Sequence, residues 1–297
     1  MKFSVPFLAT DIEQLPFLRQ YDHDAVEAIL LKREDLKEDR WDLSWRNIEQ
    51  AVKIYGGEQV SFHFPIKDSQ YVEDPFVFAR LLESLQRASD LNLRGVVVHS
   101  NQLEPLPWTH VDMPLKRAQV IEALLTIREK VKGNSFIALE NMPVMDNSVL
   151  IDPLFAFPVD FAGLMGTEVK IIWDVCHFTN TIANIAEVME GKQKALYYPN
   201  IQQVDYLDFL SISSQIIHWH FSAFKGVANP ETGSTCKEGV HPSKSDFGEL
   251  IYRKSLGKIL ECAPQDQHIV FEIQEENYLS RVETEKTIKW ARSVVPG

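Results

Sequence analysis

Histidine and carboxylate residues recur in this chain at the points where apolar segments end. In IIWDVCHF, residues 171–178, an apolar run closes with Asp174 and, three residues later, His177. The two side chains either cap a turn by hydrogen bonding or act as metal ligands at the mouth of a pocket. Because imidazole and carboxylate groups are common ligands of divalent transition metals, recurrence of the pattern at other segments would favour the second interpretation.

The same pattern closes six consecutive apolar segments. The closing residues are His63 in FHFP, His99 in VVVHS, Glu140 in ALEN, Asp174 in WDVCH, His220 in HWHFS and Glu272 in VFEIQ. A single buried histidine or glutamate is more often a hydrogen-bonded core residue than a ligand. Three carboxylates in one place, however, repel each other and lose their hydration unless a cation neutralises them. The set as a whole therefore predicts a metal site.

The ligand types favour Zn²⁺, Mn²⁺, Co²⁺ or Fe²⁺ over Ca²⁺ or Mg²⁺ alone, since the set contains imidazole and no obvious thiolate. Cys176 is expected to point away from the ligands, because neighbouring residues of a strand alternate between faces. His177 follows its strand, and a bend in the chain can bring it to the same rim. His241 lies in the long polar loop 223–247 and is interpreted as a ligand, a substrate contact or a surface residue. His218 is expected in the core or behind the ligands.

The elements that would position these residues alternate along the chain. Segments rich in β-branched and aromatic residues predict strands at 2–8, 25–31, 59–65, 94–100, 135–141, 170–176, 215–221 and 268–274. Amphipathic periodicity predicts helices at 74–91, 113–131, 245–261 and 279–293, and the charged segment 33–45 is expected to be a solvated helix or loop. Eight nearly continuous apolar strands with intervening helices are typical of a closed parallel barrel. We therefore predict an α/β protein with a single (β/α)₈ TIM-barrel domain over residues 1–297 and a metal site at the C-terminal rim of the strands.

Composition argues against several functional classes. The formal net charge of −12 disfavours bulk attraction to nucleic acid, although a local basic patch can exist in an acidic protein. Three cysteines without a CxxC motif disfavour a disulfide framework and fit a reducing cytosol. We see no signal peptide and no apolar run of about 18 residues that could span a membrane. We therefore expect a cytoplasmic protein with a small-molecule, sugar-like substrate, and the sequence does not indicate an oligomeric state.

The order Glu140, Asp174, His220, Glu272 resembles the four-ligand metal set of the xylose isomerase-like TIM-barrel superfamily. This superfamily includes sugar and sugar phosphate isomerases and epimerases, as well as endonuclease IV-type AP endonucleases. The stretches FHFP, VVVHS, LEN and DVCH resemble the endonuclease IV pattern more particularly.

That second resemblance implies a cluster of three zinc ions. One zinc would be held by His63, His99 and Glu140, and a second by Glu140, Asp174, His220 and Glu272, with Glu140 as a bridge. The third would be held by His177 and His241. Gly239 stands where the endonuclease pattern has an aspartate two residues before the loop histidine, and the segment IKDSQYVEDP after FHFP is acidic where a DNA-facing loop should be neutral or basic.

Two reactions and one non-catalytic role follow from the resemblance. In an isomerase or epimerase, one divalent metal, Zn or Mn, would stabilise an enediolate, with Glu140 or Glu272 as general base and His177 contacting a substrate oxygen. In an endonuclease IV-like enzyme, more than one zinc ion per chain would hydrolyse the phosphodiester at abasic DNA sites. The third alternative is a binding protein with a degenerate site. The acidic charge favours the first.

Overall fold

Eight parallel strands form a closed barrel in the computed structural model, which describes residues 1–100, 112–146, 149–150, 153–193 and 204–294. The barrel strands are β1 (Lys2–Leu8), β2 (Ala25–Ile29), β3 (Val60–His63), β4 (Gly95–Val98), β5 (Phe136–Glu140), β6 (Lys170–Asp174), β7 (Ile216–Phe221) and β8 (His268–Phe271). Each strand pairs with the next one along the chain, and β8 pairs with β1 to close the barrel. The predicted (β/α)₈ fold is thus confirmed.

Helices cover the outside of the barrel. They are α1 (Gln14–Leu18), α2 (Glu38–Tyr55), α3 (Pro75–Asp90), α4 (Met113–Lys130), α5 (Val175–Met189), α6 (Glu249–Cys262) and α7 (Val282–Val294). The start of α3 is fixed by Asp74, whose carboxylate accepts hydrogen bonds from the backbone N–H groups of Phe76 and Val77, as expected for an N-cap followed by proline. Short 3₁₀ turns, Pro158–Leu164 and Asp208–Gln215, precede β6 and β7. No helix among the residues that the structure describes combines the length and apolar character needed to cross a membrane.

The segment 33–45 is not solvated as expected. It leads into α2, where Trp41 and Trp45 are buried and the Trp45 ring lies 5.2 Å from that of Phe62 on β3. The two tryptophans are four residues apart and share one face of the helix, while the charged residues occupy the other. The density of charge in the sequence conceals this amphipathic pattern.

The strand faces that carry the candidate ligands point into the barrel. Two and four residues before Glu140, on the same face of β5, Ala138 and Phe136 belong to a small apolar cluster with Val97 and Ile172. This cluster is separate from the larger apolar core that includes the outer tryptophans. The candidate ligands therefore lie at the carboxyl ends of the strands, above a barrel interior that contains this apolar cluster.

The predicted loop 223–247 contains regular structure. Ala223–Lys225 and Lys237–Val240 pair as an antiparallel hairpin. A 3₁₀ turn, Pro242–Lys244, follows the hairpin and leads towards α6.

Candidate metal centre

Glu140 stands at the centre of a cluster of histidines inside the barrel. It ends β5 and is fully buried. Its Oε2 atom lies 3.2 Å from Nε2 of His63 and 3.3 Å from Nε2 of His99. Its Oε1 atom lies 3.2 Å from Nδ1 of His220 and 3.3 Å from Nδ1 of His177. One carboxylate thus lies against four imidazoles, which arrive from β3, the residue after β4, β7 and the first turn of α5.

Among the described residues, four groups have ligand atoms close enough to share a metal ion, and two of these groups correspond to the predicted ligand sets. The four-ligand group is Glu140, Asp174, His220 and Glu272, and the three-ligand group is His63, His99 and Glu140. Within each group, one ligand atom per residue lies within 4.8 Å of all the others. Glu140 belongs to both groups. The structure therefore assembles the two ligand sets that the resemblance implied for the first and second zinc ions.

The polar atoms at the centre of these groups fit a divalent cation. Oε1 of Glu140 and both ring nitrogens of His220 are buried and have no aligned hydrogen-bond partner among the described residues. Leaving such an atom unpaired costs about 1–3 kcal/mol. A cation between Oε1 of Glu140 and Nδ1 of His220 would satisfy both atoms. The donor set of imidazole and carboxylate is also the one that Zn²⁺ and Mn²⁺ accept.

The carboxylates in the cluster differ strongly in acidity. Burial alone would raise the pKa of Glu140, but the neighbouring His220 and His99 hold this pKa well below its usual range. Burial raises the pKa of Glu272 to about 7, although His220 opposes the shift, and the negative charges of Glu140 and Asp174 add to it. Without a cation, the cluster thus retains a proton near neutral pH, and a divalent metal would displace that proton.

Asp174 caps a helix and also belongs to the four-ligand group, whereas no group of close ligand atoms among the described residues includes His177. Oδ1 of Asp174 accepts a hydrogen bond from the backbone N–H of His177 at 2.7 Å and so caps α5. The helix begins directly after Asp174, so that Cys176, which was expected in a strand, lies in α5. The side-chain amide of Asn141 holds the backbone of Asp174. Its Oδ1 accepts a hydrogen bond from the Asp174 N–H at 2.7 Å, and its Nδ2 donates one to the Asp174 carbonyl oxygen at 3.2 Å. The capping therefore fixes the position of Asp174, which is a member of the four-ligand group.

His177 faces the same cluster but has other partners as well. Its Nδ1 lies 2.8 Å from the carbonyl oxygen of Asn141, and its Nε2 lies 3.8 Å from Oε2 of Glu238. Burial alone would lower the pKa of His177, yet Asp174, Glu238 and Glu140 together raise it to about 10. In the metal-free protein this imidazole is therefore a proton donor.

His241 is not brought to this cluster. Its Nδ1 accepts a hydrogen bond from the backbone N–H of Ser243 at 3.1 Å, and its ring lies 6.0 Å from that of Trp290 on α7. No group of close ligand atoms within the described parts of the chain includes it. The ligand role of His241 remains a prediction, and Glu238 is the residue of this loop that lies near His177.

Gly239 stands where the endonuclease pattern has an aspartate, and its surroundings explain why a larger residue does not fit there. Its φ of +73° lies in the left-handed region, and a Cβ atom built there would lie 2.8 Å from the backbone nitrogen of Gln274 and 3.0 Å from the carbonyl oxygen of Glu272. Gly239 also accepts a hydrogen bond from the Gln274 N–H at 2.8 Å. This close approach excludes the aspartate that the endonuclease pattern has here.

Sequence reasoning missed Glu27. This residue lies in the middle of β2 and is fully buried. Its Oε2 accepts hydrogen bonds from Nε2 of His218 at 3.0 Å and from the Ser61 hydroxyl at 2.8 Å, while Oε1 lies 3.1 Å from Nε2 of His220. A carboxylate behind a ligating histidine commonly fixes which ring nitrogen faces the metal. The sequence signal that could have indicated this role is that Glu27 is the one acidic residue in the apolar run AVEAILL.

The cluster opens into a cavity of about 370 Å³ at the carboxyl ends of the strands. His63, His99, Asp174, His177 and Glu272 form part of its wall. Apolar side chains from the ends of β1 and β2 and from the following loops form much of the remainder. The site therefore has room for a small molecule beside the candidate ligands.

No protein-family model matches this chain, and no curated protein matches it either. Solved structures do match it over almost its full length. A D-tagatose 3-epimerase-like protein is 18% identical, with a TM-score of 0.65, and the match covers 99% of this chain and 98% of that one.

Two structures from Thermus thermophilus match similarly. Endonuclease IV is 14% identical, with a TM-score of 0.61 and coverage of 99% of this chain and 100% of that one. The TTHB071 protein, from a structure soaked with ZnCl₂, is 17% identical, with a TM-score of 0.63 and coverage of 99% and 98%. At identities of 18% or less these matches show a shared fold, which is the fold that the resemblance implied.

Proposed function

We propose that this chain is a divalent-metal-dependent isomerase or epimerase that acts on a small sugar, a sugar phosphate or a related hydroxy-carbonyl compound. The observation that supports this most is the four-ligand group, of which Asp174 and Glu272 reach the wall of a cavity of about 370 Å³. That volume suits a small molecule. The name of one structural neighbour, a D-tagatose 3-epimerase-like protein, is consistent with the same chemistry.

Glu272 is the better candidate for the general base. Its side chain is 26% exposed and lines the cavity, whereas Glu140 is fully buried and is not part of the cavity wall formed by the described residues. A base must reach the proton that it removes, so that Glu140 is better suited to hold the metal. In this proposal Glu272 is therefore the general base, because it has access to the cavity and Glu140 does not.

The proposed reaction moves one proton between carbon atoms or between faces of one carbon. A bound divalent metal would polarise adjacent carbonyl and hydroxyl oxygens of the substrate. Glu272 would take the proton from the carbon next to the carbonyl, and the electron pair of the broken C–H bond would form the double bond of the enediolate. Return of this proton to the neighbouring carbon, with transfer of the hydroxyl proton to the former carbonyl oxygen, would yield the isomer. Delivery of a proton from solvent to the opposite face of the original carbon would yield the epimer. His177, in the cavity wall, would donate a hydrogen bond to a substrate oxygen.

The test combines metal content with proton exchange. Protein purified without added metal is analysed by elemental mass spectrometry, loaded with Mn²⁺ or Zn²⁺, and incubated in D₂O with ketoses, ketose phosphates and related 2-hydroxy carbonyl compounds. We expect one metal ion per chain in the four-ligand group and exchange of the substrate's α-proton, followed by NMR. His220→Asn should abolish both, whereas the matched variant His241→Asn should retain both. Failure to take up metal, together with no exchange, contradicts the proposal.

A second candidate function is phosphodiester hydrolysis at abasic sites in DNA. The three-ligand group favours it, because His63, His99 and Glu140 could hold a further zinc ion that the isomerase reaction does not require. The measurement is cleavage of an oligonucleotide with a single abasic site by protein of known metal content. Two or three zinc ions per chain together with cleavage would replace the isomerase assignment. A chain that binds metal but catalyses neither reaction would be a binding protein.

A further inference from the structure

Arg281 is a buried cation in the wall of the cavity. It lies directly before α7 and is 1% exposed, yet it lines the cavity together with Gln14 and Tyr278. No other arginine or lysine belongs to the lining that the described residues form. The loop after β7, by contrast, offers Lys225, Lys237 and Lys244, none of which reaches this cavity wall.

The hydrogen bonds of Arg281 leave part of its guanidinium unpaired. Nε donates to the carbonyl oxygen of Tyr278 and Nη2 donates to Oε1 of Gln14, both at 3.1 Å. Nη1 is buried without a hydrogen-bond partner among the residues described. The guanidinium carbon also lies 5.4 Å from the centre of the Tyr278 ring. All of these groups are neutral, so that none of them balances the charge.

Glu275 is the one carboxylate that acts on the charge of Arg281 among the described residues, but it forms no ion pair with it. Its two carboxylate oxygens accept hydrogen bonds from the backbone N–H groups of Thr284 at 2.6 Å and Glu283 at 3.2 Å. Burial lowers the pKa of Arg281 to about 10, even though Tyr278 and Glu275 oppose the shift. At neutral pH the side chain is therefore charged.

A buried charge without a counter-ion is unfavourable, because its lost hydration is not replaced. The backbone adds to this, since Arg281 has a φ of +40°, which non-glycine residues rarely adopt. An anion in the cavity would supply the missing counter-charge. Because the cavity is small and its wall is shared with the metal centre, one ligand can interact with both.

We propose that the substrate carries an anionic group, a carboxylate or a phosphate, which Arg281 recognises while the metal centre holds the adjacent oxygens of the reacting carbons. This inference rests on the proposed function and narrows its substrates to acidic sugars, sugar phosphates or comparable hydroxy-carbonyl anions. A neutral ketose would leave the guanidinium without a counter-ion. Arg281 is in this view a determinant of specificity.

The test uses chelating probes with and without an anion. Hydroxamates mimic an enediolate and bind divalent metals. A series with a terminal carboxylate or phosphonate on chains of increasing length is compared with uncharged alkyl hydroxamates of the same lengths, by calorimetry on metal-loaded protein. We expect the best charged probe to bind about tenfold to hundredfold more tightly than its neutral counterpart, as for a charge-assisted hydrogen bond in a partly desolvated site. The carboxylate and phosphonate arms identify the anion.

Two variants locate the preference. Arg281→Gln should reduce the ratio between charged and neutral probes to about one, and Gln14→Glu should do so too, because it places a carboxylate beside Nη2 while keeping the arginine. Arg292→Gln should leave the ratio unchanged. This variant removes an exposed arginine of α7, which pairs with Asp22 and does not line the cavity. If Arg281→Gln does not fold, the ratio of charged-probe to neutral-probe affinity in the wild type and in Gln14→Glu still tests the proposal.

The outcomes separate this inference from the proposed function. Equal affinity of the wild type for charged and neutral probes, with binding that requires metal, overturns the anion inference alone. A preference that survives Arg281→Gln or Gln14→Glu overturns it as well. No metal-dependent binding of any probe overturns the metal centre and the inference together.

Discussion

Replacing Glu27 with glutamine removes one negative charge from behind His220 and almost no volume. Glu27 lies 3.1 Å from Nε2 of His220, on the opposite side of the ring from the candidate metal. Its charge attracts a proton to Nε2 and so would leave the lone pair of Nδ1 available to a metal ion. In Glu27→Gln the amide no longer enforces this tautomer. We therefore expect weaker metal binding with the fold retained.

The magnitude follows from the same distance. Two unit charges 3.1 Å apart interact by about 5 kcal/mol at an effective dielectric constant near 20. Only part of this is lost, because a metal-bound imidazole carries a fraction of a charge and the glutamine oxygen still accepts a hydrogen bond. Losses of metal affinity for partners of ligating histidines are about tenfold to hundredfold, and this is the range that we expect.

The assay is a competition between the protein and a fluorescent zinc chelator, with thermal unfolding of the metal-free proteins as a check on folding. The matched control is Ser61→Ala, which removes a 2.8 Å hydrogen bond to Glu27 but keeps its charge. We expect this control to lose less affinity than Glu27→Gln, since the carboxylate still faces His220. A folded Glu27→Gln protein whose zinc affinity is within about twofold of the wild type would refute the argument.

Three further predictions concern acidity, the loop after β7 and the outer core. Because burial raises the pKa of Glu272 to about 7, a proton must leave this carboxyl before metal binds, so that metal affinity should fall by up to about tenfold per pH unit below pH 7. Glu272→Gln should flatten this step, and a flat wild-type profile of metal affinity between pH 5 and 8 would contradict it. Gly239→Asp should destabilise the protein by about 2 kcal/mol or more, because it combines a positive φ with a backbone clash. The variant should bind no additional zinc, and a gain of one zinc ion per chain by elemental analysis would contradict this prediction. Trp41→Ala should cost about 3–5 kcal/mol in denaturant unfolding, since Trp41 is fully buried, and a loss below about 1 kcal/mol would restore the solvated interpretation of this segment.

The sequence alone was sufficient to predict the barrel and to place the candidate ligands at the ends of its strands. Strand positions depend on local patterns of apolar and β-branched residues, and each of the eight predicted strands overlaps an observed one. The ends of parallel strands meet at one rim by the topology of the fold. For this reason His63, Glu140 and Asp174 could be expected to converge before any distance was known.

Other features depended on the tertiary structure, because they join residues whose contact no local pattern encodes. The closing of the barrel places Glu27 of β2 beside His218 and His220 of β7, nearly two hundred residues later in the chain. The close packing of Gly239 against the chain after β8 accompanies the position of His241 against α7. From the sequence, Arg281 is an ordinary charged residue near the start of a predicted helix. Only folding removes it from water and places it, without an ion pair, in the wall of the cavity that also contains candidate metal ligands.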